Sequence, residues 1–235
     1  MAILRLPAPY DAPVEAILAF GAALLAFRFA GELAGQWRTR RTPQLAAWSG
    51  SLAAYAVASG ALAWGAAYGW GDVAFRVYYL GGGLLTAPLL GIGSLLLAGR
   101  RWAAPLGLAY TGLAIGIAIA MPLTAPVSGT EIPEAQAHLD LVPERLIAIA
   151  GNTLGTLAVI AVAVLTFRRH RLGNSLIVAG TAVAAAGSAV AGLGAAPTAL
   201  FIALAALLLY AGFLAASGVR VPWPRIRRPA SDATP

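Results

Sequence analysis

The sequence predicts an all-α polytopic membrane protein, a seven-transmembrane-helix bundle with its N-terminus outside and its C-terminus in the cytoplasm. Three observations carry this reading. The 235 residues are 60% apolar and 11% charged, with a mean hydropathy of +0.78, more apolar than a water-facing surface tolerates. The apolar residues fall in seven runs of about 18 to 26 residues, each long enough to cross a bilayer as a helix. Arginine collects in alternate connections between those runs, as the positive-inside rule requires.

The runs cover residues 14–34, 44–68, 73–98, 103–123, 146–167, 176–193 and 198–216. Within lipid every backbone N–H and C=O must be paired inside the segment, and membrane strands alternate in polarity. These runs are continuous, so helices are expected. Arg38, Arg40 and Arg41 follow the first run, Arg100 and Arg101 the third, Arg168, Arg169 and Arg171 the fifth, and Arg220, Arg225, Arg227 and Arg228 the seventh. With seven crossings all four groups share one face, which is cytoplasmic. The opposite connections carry Asp72, Glu131, Glu134 and Asp140.

Arg5 precedes the first run, but Asp11 and Glu15 intervene and the strong basic cluster comes after it, the pattern of an uncleaved N-out anchor. Residues 1–219 form the membrane domain. Residues 220–235, with four prolines and four arginines, read as a disordered basic tail. The +7 net charge sits in these connections, so topology explains it and no nucleic-acid partner is expected. There is no cysteine, which excludes disulfides, thiolate nucleophiles and thiolate metal sites. The basic residues are all arginine, and with the Ala and Gly content this points to a GC-rich bacterial genome.

The longest connection runs from Thr124 to Glu144 with Pro126, Pro133 and Pro143. It is read as a solvated connector or a lid, with a short surface helix over residues 131–141.

Polar residues inside the runs mark where function can reside. The third run contains Gly81-Gly82-Gly83 and Pro88. Pro88 cannot donate to the Leu84 carbonyl, so a kink is expected between Gly81 and Gly91, either for close packing or as a discontinuous helix that binds a solute. At the start of the fifth run and within it, Glu144, Ala148, Asn152 and Thr156 share a face, beside the small pair Gly151 and Gly155. Asn152 is either interhelical glue or a ligand contact. Arg28 and Glu32, one turn apart, form an anchoring pair. The ligand-binding candidates are Arg76, Tyr79, Glu144, Asn152 and Thr156. The outer-half members are expected to converge on an outward-facing cavity between the third, fifth and sixth helices, with Glu144 as counter-charge to Arg76. His138 and His170 lie in opposite loops, and no ligand cluster, Gly-x-Ser-x-Gly elbow or phosphate loop occurs. No cofactor or metal is expected, and binding or sensing comes ahead of small-solute transport and then intramembrane catalysis.

Three resemblances accompany these residues. Leu85-Thr86-Ala87-Pro88-Leu89-Leu90, with Arg76 upstream, is similar to one stretch of the third helix of microbial rhodopsins. Their retinal lysine has no counterpart here, so a Schiff base is impossible. Pro43-Gln44 resembles the dipeptide of PQ-loop transporters, although a first-turn proline explains it equally. The whole chain, with Phe75 to Leu80 as Phe-Arg-x-Tyr-Tyr-Leu, most resembles uncharacterised seven-span proteins of high-GC Gram-positive bacteria, which implies a plasma-membrane location and no particular activity.

The topology is testable with reporter fusions. Fusions at Arg40, Arg101, Arg169 and Arg228 are expected to report cytoplasm, and fusions at Asp72 and Glu134 the outside; a cytoplasmic signal at Glu134 contradicts seven spans.

Overall fold

A computed structural model of the chain describes residues 11–166, 171–192 and 198–216, and every regular element among them is helical. Five helical segments are long and apolar enough to cross a membrane: Ala16–Arg40, Pro43–Tyr68, Asp72–Leu97, Ala103–Ala120 and Leu141–Leu165. Helix α1 is Asp11–Arg40 and α2 is Pro43–Tyr68. The third crossing is composite: α3 (Asp72–Tyr78), a π-wound turn (Tyr79–Leu85) and α4 (Thr86–Leu97). Then come α5 (Ala103–Ala120), the single turn α6 (Ala135–His138) and α7 (Leu146–Leu165), which a π turn at Leu141–Arg145 precedes. Helices α8 (Arg171–Gly192) and α9 (Thr198–Ala216) coincide with the sixth and seventh apolar runs. The tail, Arg168, Arg169, His170 and residues 193–197 lie outside the described residues.

Two boundaries differ from the hydropathy reading. Helix α1 continues six residues past the apolar run, through Gln36, Trp37 and Arg38, because hydropathy marks where lipid ends and these residues still favour a helix. It stops at Arg41, whose φ of 53° lies in the left-handed region. Pro43 then opens α2 as a first-turn proline. The surface helix expected over residues 131–141 is reduced to α6.

Helix α1 packs along α2, α2 along α4, α4 along α7, α7 against α8, α8 along α9, and α9 returns to α1. Glycine makes the central crossing possible. An added Cβ on Gly91 would lie 2.6 Å from the Gly155 Cα, and one on Gly155 would strike the Ala87 carbonyl. Dispersion and backbone approach hold helices together in lipid, where water drives nothing inward, and this contact maximises both. At one end Trp48 is fully buried among Leu33, Leu45, Leu52 and Val159. At the other, Phe75 is fully buried among Leu62, Trp70, Leu84 and Met121. Across the ring's closure the Tyr210 ring stacks on Phe29 at 3.8 Å and its hydroxyl donates to the Glu32 carboxylate. Arg28 Nε donates to the other Glu32 oxygen at 3.2 Å, so the anchoring pair forms as expected.

Helix α5 stands outside this ring. It packs on the third crossing, with Gly107 against Ile92, and leaves Leu108, Leu113, Ile115 and Ile119 facing outward.

The irregularity expected between Gly81 and Gly91 begins two residues earlier, as a wider winding and not a break. The Thr86 N–H donates to the Gly81 carbonyl five residues back, and the Thr86 hydroxyl donates to the same oxygen at 2.7 Å. Ser51 on α2 donates to the Thr86 carbonyl at 2.7 Å. In the α register that resumes at Thr86, Pro88 has no N–H to give the Leu84 carbonyl. One residue earlier, Asn152 Nδ2 on α7 donates to the Gly83 carbonyl at 2.7 Å.

Gly155→Ala is expected to destabilise by about 3 kcal/mol, because its Cβ meets backbone that cannot swing aside. Asn152→Ala is expected to cost about 1 kcal/mol. Gly116→Ala, with open space at its Cβ, serves as the neutral control. Reversible unfolding in mixed micelles measures all three.

Candidate functional site

The polar residues singled out in the third and fifth crossings have separate tasks. Arg76 extends to the last turn of α5, where its Nη1 donates to the carbonyls of Ala118 at 3.1 Å and Ile119 at 3.3 Å. Those oxygens have no intrahelical partner, and a cation there opposes the negative end of the helix dipole. Asp72, one turn earlier, accepts the Val127 N–H at 3.1 Å. Arg28–Glu32 is the sole ion pair among the described residues, so Arg76 pairs with neither Asp72 nor Glu144. The expected counter-charge role of Glu144 is thereby corrected: helix-end carbonyls take the guanidinium instead.

Tyr79 and Glu144 do come together. The Tyr79 hydroxyl donates to the Glu144 main-chain carbonyl at 3.1 Å, which ties the start of α7 to the third crossing and leaves the carboxyl group for another purpose. Asn152 acts on the Gly83 carbonyl. Thr156, half-buried, makes no side-chain hydrogen bond among the described residues.

Glu144 lines a groove of about 420 Å³ between α5 and the start of α7. Gly112, Gly116 and Ala120 recur every four residues and form one wall with Leu113 and Ile117; Met121 and Pro143 complete the lining. Added Cβ atoms on Gly112 or Gly116 would meet nothing within 4 Å, so these glycines face empty space. Glu144 is 3% exposed. Its Oε2 has no hydrogen-bond partner among the described residues. A buried carboxyl oxygen with no partner is costly in an apolar setting, and each such atom calls for an explanation. This groove lies between the fourth and fifth crossings, not between the third, fifth and sixth. Of the five candidates, Glu144 alone lines it.

The connection from Thr124 to Glu144 is folded against the bundle. Val127 and Leu139 are buried beside Phe75 and Trp70. The Trp70 N–H donates to Gly129 at 2.6 Å, and Thr124 N–H to His138 at 3.0 Å. His138 Nδ1 lies 3.1 Å from the Ala125 carbonyl, and its ring is 5.5 Å from Phe75.

Sequence reasoning passed over the groove wall. Its signal was the small-residue repeat Gly112, Gly116 and Ala120 in the fourth run. Against protein-family models, curated proteins and solved structures, the chain has no match.

Tyr79→Phe removes one buried hydrogen bond and is expected to cost about 1 kcal/mol. Hydrogen exchange at the first turns of α7 should rise with it, and unchanged exchange there would show that the hydroxyl does not hold the helix start.

Proposed function

We propose that the chain is a seven-span protein of a bacterial cytoplasmic membrane, N-terminus outside, that binds or senses a small molecule in the groove at Glu144. The observation that carries the binding role is the buried, unpartnered Glu144 oxygen on an empty groove. Pockets that hold small molecules are mostly apolar with a few placed polar groups, and a groove of this size with one carboxyl has that composition. The five long apolar helices, the arginine distribution and the helical sixth and seventh runs support the topology. Trp64 and Tyr68 face outward at one end of α2 and Trp102 at the other end of the bundle, where interfacial aromatics belong. The resemblance at Phe75 to Leu80 fits the same reading.

Transport is the second reading, and the π-wound third crossing is what favours it. Its winding nonetheless satisfies itself: Gly81, Gly83 and Thr86 carbonyls are taken by Thr86, Asn152 and Ser51, which leaves none of these three for a solute. Catalysis has less support, since Arg76 and Glu144 are not paired and no acidic or histidine cluster forms among the described residues.

A group kept for binding contributes little to stability. Glu144→Gln is therefore expected to be neutral or stabilising by about 1 kcal/mol. Mass spectrometry of the purified protein should find a small molecule that Glu144→Gln and Gly116→Leu both lose. A loss of more than about 2 kcal/mol in Glu144→Gln, with no bound molecule in the wild type, would make the residue structural.

A further inference from the structure

We infer that the occupant of the Glu144 groove is a membrane amphiphile with a primary ammonium headgroup, of the kind phosphatidylethanolamine presents, which enters sideways from the bilayer. This rests on the groove being a binding site and specifies what it binds and from where.

The route follows from which sides are closed. At the Glu144 end, Met121 and Pro143 line the groove. Beside them the 124–144 connection is packed onto the bundle through Val127 and Leu139, with main-chain bonds from Trp70 to Gly129 and from Thr124 to His138. A solute from water meets a packed surface there. The flank between α5 and α7 is open, and Leu113 and Ile119 on α5, Leu141 and Val142 on the turn before α7, and Leu146 on α7 all face outward. An exposed apolar rim on a membrane-crossing helix faces lipid. Gly112, Gly116 and Ala120 carry little or no side chain and border about 420 Å³ of space, flanked by Leu113 and Ile117, a lining suited to a hydrocarbon chain lying beside α5.

The headgroup follows from Glu144. It lies in the first turn leading into α7, where the positive end of the helix favours negative charge. No arginine among the described residues pairs with it. A carboxylate so placed needs N–H donors, and an ammonium with N–H groups gives charge-assisted hydrogen bonds that a quaternary ammonium cannot. Trp64 and Tyr68, in contact at 4.9 Å near the same end of the bundle, mark the level at which lipid headgroups lie.

The test uses the full chain in nanodiscs of phosphatidylcholine, with and without phosphatidylethanolamine of the same acyl chains. Native mass spectrometry then counts the phospholipid retained. Wild type is expected to retain phosphatidylethanolamine about tenfold over phosphatidylcholine, a factor worth about 1.4 kcal/mol. Glu144→Gln should bring the ratio to about one, and Gly116→Leu should lower retention of both lipids. Gly112→Leu serves as the second groove variant if Gly116→Leu does not fold. Free phosphoethanolamine in the buffer should not compete. Equal retention in wild type, unchanged by Glu144→Gln but lost in the groove variants, overturns the ammonium assignment and leaves the groove as a site. Competition by free phosphoethanolamine overturns entry from the bilayer. Retention that no variant alters overturns the groove itself. A dimer that Gly116→Leu converts to monomer, with no lipid retained, makes the groove an interface between copies and overturns the inference.

Discussion

The bond from Asn152 to the Gly83 carbonyl is the constraint on which the arrangement depends. A widened turn and a proline in lipid disturb the regular pairing of backbone carbonyls, and no water is present to make it good. Here the Gly83 carbonyl takes a donor from the neighbouring helix, which must therefore lie close, and glycine permits that distance. Gly91 and Gly155 meet at the backbone, and an added Cβ on Gly151 would run into the Tyr110 hydroxyl. Polar satisfaction and close packing are thus one requirement, met by residues on α4 and α7 together.

From that crossing the groove follows. The third crossing holds α7 on one side through Asn152 and Tyr79, and α5 on the other through Arg76 and the Gly107–Ile92 contact. Both walls are fixed to the same support, and they meet where Tyr110 lies against Gly151. Nearer Glu144 they stand apart, where Gly112, Gly116 and Ala120 alternate with Leu113 and Ile117 along α5. Among the described residues Glu144 is a buried acid whose Oε2 has neither a cation nor a hydroxyl beside it.

Much of this was legible before any coordinates. Crossing positions follow from hydropathy, since bilayer thickness fixes segment length, and the disturbance near Gly81 follows from the proline and triple glycine. Helix ends were less legible, because α1 outlasts its apolar run. The target of Arg76 was not legible: its depth suggested a carboxylate partner, whereas every helix C-terminus also offers bare carbonyls, and which helix ends beside Arg76 is a tertiary fact. The groove was hidden for a related reason. Small residues at four-residue spacing ordinarily signal a packed neighbour, and nothing in the spacing distinguishes an occupied face from an empty one. In the 124–144 connection, Val127 and Leu139 are the apolar residues that draw it onto the bundle, but their surroundings of proline and acid read as solvated.

The π turn at Tyr79–Leu85 also sets a phase. A π turn holds one residue more than an α-helix would over the same rise, and each residue turns the chain by about 100°. Remove that surplus residue, and the half of the crossing that carries Arg76 and Tyr79 rotates by about this angle against the half that carries Gly91. The glycine contact with α7 would survive. Arg76 would swing away from the end of α5, and Tyr79 from the Glu144 carbonyl, so the single extra residue keeps the two halves of the helix aimed at their different partners.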